Sequence, residues 1–231
     1  MTTTKKSVSI PFLVMGILFC TCLIASNLLE TKILQFGQFT MTAGVLCFPI
    51  SYILGDCIAE VWGYRKARII IWMAFLMNFF VVALGQLAVI LPAADYWLEN
   101  EPHFNFVFGL APRIAVSSFL AFLVGSFINA YVMSAMKRKH EGRHFSLRAI
   151  VSTLFGEGAD SLIFFPLAFG GLMPFTELLK LMLLQVITKT LYEVVALPFT
   201  IRVVNYVKRK DNEDVFDDDD TSYNPLNIFD V

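Results

Sequence analysis

The chain has 231 residues, of which 57% are hydrophobic and 16% are charged, and its formal net charge is −1 at pH 7. This composition excludes an ordinary soluble domain, because a soluble domain of this length could not cover so much apolar surface. The sequence therefore predicts an integral membrane protein.

Six stretches of the chain are long and apolar enough to span a bilayer, which takes roughly 20 mostly apolar residues. In chain order they are Pro11 to Leu29, Met41 to Trp62, Arg68 to Leu91, Arg113 to Met136, Ala149 to Gly170 and Glu177 to Val204. The first follows Lys5 and Lys6, but it is long for a signal peptide and has no clear cleavage site, so we expect it to be retained. The fold predicted is an all-α integral membrane protein with six transmembrane helices spanning residues 11–207.

The basic residues predict the orientation, since Lys and Arg favour the cytoplasmic side of short loops. With the N-terminus inside, 13 of the 18 Lys and Arg residues fall on the cytoplasmic side: Lys5, Lys6, Arg65, Lys66, Arg68, Lys137, Arg138, Lys139, Arg143, Arg148, Lys208, Arg209 and Lys210. Both termini are therefore predicted to be cytoplasmic, with residues 1–10 as a short N-terminal extension. The loop from Pro92 to Pro112 then faces outward, and its aromatic residues favour an interfacial segment over a substrate gate.

Six ionisable residues lie within the predicted helices: Asp56, Glu60, Glu157, Asp160, Lys189 and Glu193. A charge at membrane depth costs a few kcal/mol or more, so such residues usually face a polar cavity and pair with one another or with a ligand. Their spacings of three or four residues put the two members of each helix on one face. At a rise of about 1.5 Å per residue, all except Glu60 lie about 9 to 17 Å from the inner surface, in one layer.

Simpler explanations of these residues remain open. Lys189 and Glu193 have the spacing of an ion pair that would only neutralise itself. Glu60 suits an acid that reaches for the inner surface. Gly156 and Gly158, which flank Glu157, are typical either of a broken helix or of close helix packing.

The layer would carry four carboxylates against one ammonium. Like charges held close in low dielectric raise one another's pKa values, so at least one carboxyl group could hold a proton. Three further candidates are Asn27, Asn78 and Tyr192. Each asparagine alone is better explained by a hydrogen bond between helices than by contact with a ligand.

Enzyme chemistry is not indicated. The chain has no G-x-S-x-G, H-E-x-x-H or phosphate-binding glycine loop, its three histidines lie in loops, and its four cysteines fit neither a disulfide framework nor a zinc site. We expect no catalytic residues, no metal and no cofactor. An intramembrane hydrolase that uses Glu157 and Asp160 is a weaker alternative, because no nucleophile accompanies them.

The character of the chain changes at Lys208. The tail 208–231 carries a basic start and then a run of acids that includes Asp217 to Asp220. Such a block of charge cannot bury a core, so we expect a disordered, solvated, acidic tail in the cytoplasm.

Four segments in chain order give the chain a family resemblance. The first is Ser26-Asn27, and the second is a stretch from Phe48 that contains Gly55-Asp56-Cys57-Ile58-Ala59-Glu60-Val61-Trp62-Gly63-Tyr64-Arg65-Lys66. The third is Phe155-Gly156-Glu157-Gly158-Ala159-Asp160-Ser161, and the fourth is Lys189-Thr190-Leu191-Tyr192-Glu193-Val194. Over roughly residues 11 to 210 the chain resembles the bacterial queuosine precursor transporter family (VUT-type).

This resemblance implies import across the bacterial inner (cytoplasmic) membrane of 7-cyano- or 7-aminomethyl-7-deazaguanine (preQ0 or preQ1) for the queuosine modification of tRNA. The family also looks like the substrate-binding subunits of energy-coupling-factor vitamin transporters, so the chain could work alone, as a homo-oligomer or with an energising module. The implied partners are the small-molecule substrate and the lipid bilayer, with no nucleic acid.

The predicted substrate-binding residues are Asn27, Asp56, Asn78, Glu157, Asp160, Lys189, Tyr192 and Glu193. A guanine-like edge offers paired donors that a carboxylate can accept, a role that suits Asp160 or Glu157. Tyr192, with Phe48, Tyr52 and Phe155, could stack on the planar ring.

Overall fold

A computed structural model describes residues 9–37, 39–109, 112–171, 174–217 and 224. The described part is mostly helical. Its elements are α1 (Ile10–Leu29), β1 (Ile33–Phe36), β2 (Phe39–Thr42), a 3-10 turn (Ala43–Leu46), α2 (Phe48–Ile90), a second 3-10 turn (Asp95–Trp97), α3 (Glu101–Gly109), α4 (Pro112–Lys139), α5 (Phe145–Phe169) and α6 (Phe175–Asp211).

Five of the described helices are long and apolar enough to cross a membrane: α1, α2, α4, α5 and α6. Their outer faces carry large exposed apolar side chains, among them Phe79, Phe80, Leu183 and Val195. A contiguous apolar exterior of this kind suits lipid rather than water. The chain is thus a multi-pass membrane protein.

The longest helix, α2, is interrupted at one residue. Gly63 has φ 81° and ψ 171°, which is not a helical conformation. This region of backbone space is open essentially to glycine alone, because a side chain there would clash with the backbone. A single glycine therefore divides the 43 residues of α2 into two helices.

The two halves of α2 run in opposite directions. The first turn of α1 contacts Trp62 and Lys66, one on each side of Gly63. The last turns of α1 contact Gly44, just before α2, and Asn78 in its second half. Both halves thus run along α1 from the break at Gly63, beside the first turn of α1, to the last turns of α1. The two halves of α2 therefore form a helical hairpin. The sequence placed separate helices at Met41 to Trp62 and Arg68 to Leu91, and the structure joins them almost without a loop.

An antiparallel β-hairpin corrects the expectation of an all-α fold. β1 pairs with β2, with Ile33 opposite Thr42, and α2 begins only at Phe48, whereas the predicted helix began at Met41. Proline is favoured in the first turn of a helix, and Pro49 occupies that position. Apolar content alone does not distinguish a short strand from a helix, which explains the error. The loop 92–112 likewise contains a helix, α3.

α4 and α5 pack closely through glycine. A Cβ atom added to Gly156 would lie 2.9 Å from the carbonyl oxygen of Gly125, which leaves no room for a side chain. α5 continues unbroken through both Gly156 and Gly158. Of the two roles left open for these glycines, the structure shows close packing for Gly156 and no break in the helix.

The prediction of a disordered tail from residue 208 is wrong for residues 208–217. α6 continues to Asp211, and the chain then folds back onto the end of the bundle where Gly63 lies. The Val215 N–H donates to the Val61 carbonyl at 3.0 Å, and the Asp217 carboxylate accepts from the Tyr64 N–H at 3.1 Å. The acids dock because the break at Gly63 leaves helix-start N–H groups that favour a negative charge. Residues 218–223 and 225–231 lie outside the described residues.

We name the two ends of the bundle by these features. The hairpin end carries β1 and β2, and the tail end carries residues 212–217. At the tail end Asp214 accepts hydrogen bonds from Lys137 at 2.7 Å and pairs with Lys208 at 3.0 Å. Partial burial alone would raise the pKa of Asp214, but these two lysines outweigh it and hold that pKa below its ordinary value. The contact is therefore present at neutral pH and is lost only as the pH falls through this lowered pKa.

We expect Gly63→Ala to lower stability by about 1–3 kcal/mol, since alanine is strained at this φ. Its Cβ atom would also lie 3.0 Å from Asp217 and from Val215, so the tail should detach. The measurement is the melting temperature of the detergent-purified protein together with the rate of trypsin cleavage after residues 208–210. Gly158→Ala is the matched control, because nothing lies within 4 Å of that position. Unchanged melting and cleavage in Gly63→Ala would contradict the role of the break.

Candidate functional site

A buried lysine holds two acids together in the middle of the bundle. The Lys189 Nζ of α6 lies 2.6 Å from Glu157 Oε2 and 3.6 Å from Asp160 Oδ2, both on α5. The side chains of Lys189 and Glu157 are 2% and 0% exposed. The ammonium also lies 4.2 Å from the centre of the Phe48 ring, a cation–π contact.

The sequence explains why these groups meet. Glu157 and Asp160 are three residues apart in an unbroken helix, so they project from one face and reach the same ammonium. Breaking a buried charge pair by removing one partner typically costs 3–5 kcal/mol, because an uncompensated charge stays behind. Lys189 therefore fixes the packing of α6 against α5.

A cavity opens beside this cluster, toward the hairpin end. It is lined by Glu30, Phe48, Ser118, Asp160, Phe164, Phe165, Gln185 and Lys189. Its lining combines aromatic rings with a few charged groups, which is typical of a site for a small polar ring compound.

Glu30 is the residue of this cavity that the sequence did not reveal. It follows the last turn of α1, is 5% exposed, and its Oε2 atom accepts no hydrogen bond from any described residue. The predicted helix ended at Leu29, so Glu30 counted as part of a loop. Glu30 follows Asn27 by three residues and Ser26 by four, which puts all three on one face of α1. This spacing is the feature of the sequence that could have identified Glu30 as a site residue.

Buried acceptors without donors mark this region. Within the described chain, Glu30 Oε2 and Glu157 Oε1 are both buried and neither receives a hydrogen bond. A buried carboxylate oxygen that is left unsatisfied carries a large desolvation cost. A ligand with several N–H donors would satisfy both oxygens.

A second pair of acids lies one helical turn nearer the tail end. Asp56 of α2 and Glu193 of α6 lie beside each other, and both are buried. Asp56 Oδ1 also accepts from Asn129 Nδ2 at 2.7 Å. Lys189 forms its ion pairs with the acids of α5, so the self-neutralising pair with Glu193 left open by the sequence does not form.

Glu60 lies apart from this layer, at the tail end, where the depth count placed it. Arg148 donates to both carboxylate oxygens of Glu60, and the distance from Nη2 to Oε1 is 2.9 Å. Lys208 Nζ also lies 2.7 Å from Oε1 of Glu60. Bidentate pairing of this kind is the strong form of an ion pair. Glu60 is thus neutralised by protein side chains and needs no ligand.

Three predicted site residues lie outside the cluster. Asn27 donates to Asn78 at 3.2 Å, which ties α1 to the second half of α2 and matches the alternative of a hydrogen bond between helices. Tyr192, predicted to stack on the substrate ring, is 40% exposed on α6 and does not line the cavity. Phe155 is also exposed, so of the aromatic candidates it is Phe48 that lines the cavity.

Comparison with known proteins places the chain among transporters. Residues 42–203 match the model of a family described as "Putative vitamin uptake transporter". This segment contains the five acidic and basic residues of the central layer, whereas Glu30 and the docked tail lie outside it. No solved structure matches the chain.

Three curated relatives are similar over much of their length. The probable queuosine precursor transporter of Bacillus subtilis (strain 168) is 27% identical over 179 residues, which is 76% of this chain and 77% of the relative. The queuosine precursor transporter of Escherichia coli (strain K12) is 28% identical over 149 residues, or 63% of this chain and 62% of the relative. The probable queuosine precursor transporter of Haemophilus influenzae is 29% identical over 135 residues, or 57% and 53%.

We expect Lys189→Ala to destabilise the protein by about 3–5 kcal/mol, because it leaves Glu157 and Asp160 without their buried cation. Lys180→Ala is the control, since its ion pair with Glu177 is exposed and should be worth only about 0–1 kcal/mol. Thermal melting in detergent measures both. Adding Glu157→Gln to Lys189→Ala should recover part of the loss. An equal effect of the two lysine variants would contradict the assigned role.

Proposed function

The chain belongs to the vitamin uptake transporter family, whose model matches residues 42–203, and from this premise we propose that it imports a 7-deazaguanine precursor of queuosine. Its relatives from Bacillus subtilis and Escherichia coli are named queuosine precursor transporters, and the chain is accordingly a transporter rather than an enzyme. The membrane we propose is the bacterial inner membrane.

The cavity beside Lys189 is the observation that supports this substrate. It brings together aromatic rings for a planar base and carboxylates for its N–H donors. Asp160 or Glu157 would accept two hydrogen bonds from the guanine-like edge, as acids accept from base edges elsewhere. The ring would lie against Phe48, Phe164 or Phe165.

The charges of the site favour one precursor over the other. Glu30, Glu157 and Asp160 face a single ammonium, that of Lys189. This excess of acid suits the cationic 7-aminomethyl form better than the neutral 7-cyano form. We therefore propose 7-aminomethyl-7-deazaguanine as the preferred substrate, with Glu30 as the acid nearest its ammonium.

We further propose six membrane spans with both termini in the cytoplasm. The division of α2 at Gly63 supplies the sixth span, because its two halves run in opposite directions. Basic residues collect at the tail end, including Arg65, Lys137, Arg148 and Lys208, as they do on cytoplasmic faces. The hairpin end and its cavity then face outward, where the substrate arrives.

The orientation is tested with single cysteines in a background whose four native cysteines are replaced. We expect a membrane-impermeant maleimide to label Glu99→Cys on intact cells and Lys139→Cys only after the cells are opened. The reason is that Glu99 precedes α3 and Lys139 is the last residue of α4, so the membrane span of α4 separates the two positions. Labelling of Lys139→Cys on intact cells would overturn the proposed topology.

The site is tested in a strain that can make queuosine only from external precursor. We expect Asp160→Asn, Glu157→Gln and Glu30→Gln each to lower precursor affinity by about 10-fold or more, since a charge-assisted hydrogen bond is worth about 1.5–3 kcal/mol. Queuosine in tRNA and calorimetric binding of both precursors to purified protein are the measurements. Glu177→Gln, an exposed acid on α6, is the control. Normal binding and queuosine content in all three site variants would refute the site.

Liposome uptake separates a self-sufficient transporter from the substrate-binding subunit of an energy-coupling-factor system. We expect the purified chain alone to exchange labelled precursor across the liposome membrane. Tight binding without any exchange would favour the subunit, which needs a separate energising module.

A further inference from the structure

Asp56 and Glu193 face each other in the bundle without a cation. Their side chains are 0% and 2% exposed. Asp56 Oδ2 and both carboxylate oxygens of Glu193 have no hydrogen bond of good geometry in the described chain, and the Thr153 hydroxyl lies beside Glu193. Three buried carboxylate oxygens are therefore unsatisfied at one point.

The cations in the surroundings of the pair are held by other acids. The titratable, charged and polar groups around it are Tyr52, Cys57 and Glu60 on α2, Asn129 on α4, Ser152, Thr153 and Glu157 on α5, and Lys189 on α6. Lys189 is held by the two acids of α5, and Arg148 and Lys208 are held by Glu60. Each described cation of the bundle core near the pair is already engaged with another acid.

Two carboxylates that face each other without a cation repel each other strongly in a low-dielectric interior. A hydrogen bond between them requires that one of them carries a proton. With one proton shared, the pair becomes a single negative charge with an internal hydrogen bond, as in other carboxyl dyads. Without that proton, two like charges face each other from α2 and α6.

We propose that Asp56 and Glu193 form a proton-binding site that couples import of the substrate to entry of a proton, an inference that rests on the proposed function. The proton arrives from the outer side, is held between the two carboxyl groups during import, and leaves into the cytoplasm. Neither the relatives' names nor the family description assigns this role.

The helices connect this site to the substrate cavity. Glu193 follows Lys189 by four residues on α6, and Thr153 precedes Glu157 by four residues on α5. Asp56 follows Phe48, the ring beneath Lys189, by two turns on α2. Loss of the proton would push α2 and α6 apart, and this movement would shift Phe48 and Lys189 in the cavity. Substrate release and proton release are thereby linked.

The test uses purified full-length protein in liposomes with labelled precursor. Wild-type protein should accumulate precursor when the outside is more acidic than the lumen, and it should also exchange labelled for unlabelled precursor without a pH gradient. Glu193→Gln and Asp56→Asn should each lower the ratio of gradient-driven accumulation to gradient-free exchange by at least 10-fold, whatever their absolute exchange rates. Glu177→Gln, on the same helix but exposed, should keep both.

A second measurement needs no variant and so does not depend on variants that fold. When precursor is added to weakly buffered wild-type liposomes, the external medium should become alkaline in proportion to uptake. Exchange with no effect of the pH gradient and no alkalinisation would overturn the proton site while leaving the proposed function intact. Gradient-driven accumulation that persists in both variants would overturn it as well. Absence of exchange and binding in the wild type would instead refute the proposed function, and the inference with it.

Discussion

The cost of placing charge in a low-dielectric interior is the constraint on which the rest of this structure depends. Each ionised side chain in the bundle must find an opposite charge, a hydrogen-bond donor or a proton. Lys189 meets this need for Glu157 and Asp160, and Arg148 with Lys208 meets it for Glu60. The pairings hold α6 against α5 and α2 far more specifically than apolar contacts could, because lipid tails are as apolar as leucine.

Close backbone packing makes those pairings geometrically accessible. Gly125 and Gly156 bring α4 and α5 together, and the position of α5 then decides where Glu157 stands relative to α6. Gly63 has a comparable effect at the tail end, where it turns α2 back on itself. The N–H groups that this turn exposes are taken up by Asp217, which explains why an acidic segment lies against the bundle.

The sequence grouped five buried charges in one layer, and the structure divides them between the Lys189 cluster and the Asp56 and Glu193 pair one turn nearer the tail end. Helical periodicity and a fixed rise per residue determine which side chains share a face and a depth, so Asp56, Glu157, Asp160, Lys189 and Glu193 were grouped before any contact was known. Periodicity does not reveal what lies just beyond a helix, and Glu30 was missed for that reason. Nor does charge density reveal docking, since Asp217 is held by backbone groups that the sequence alone does not display.

The depth of each charged group separates binding from switching. On the side toward the hairpin end, Lys189 and the acids beside it line a cavity, and at the tail end Glu60 is fully paired with Arg148 and Lys208. Between them the Asp56 and Glu193 carboxyl groups are matched by no cation in the described structure. A cluster in which every charge has a partner has one stable arrangement, so it holds its helices in a fixed position. An unmatched pair has two arrangements that differ by a proton, and a step between two packed states is what alternating access to a buried site requires.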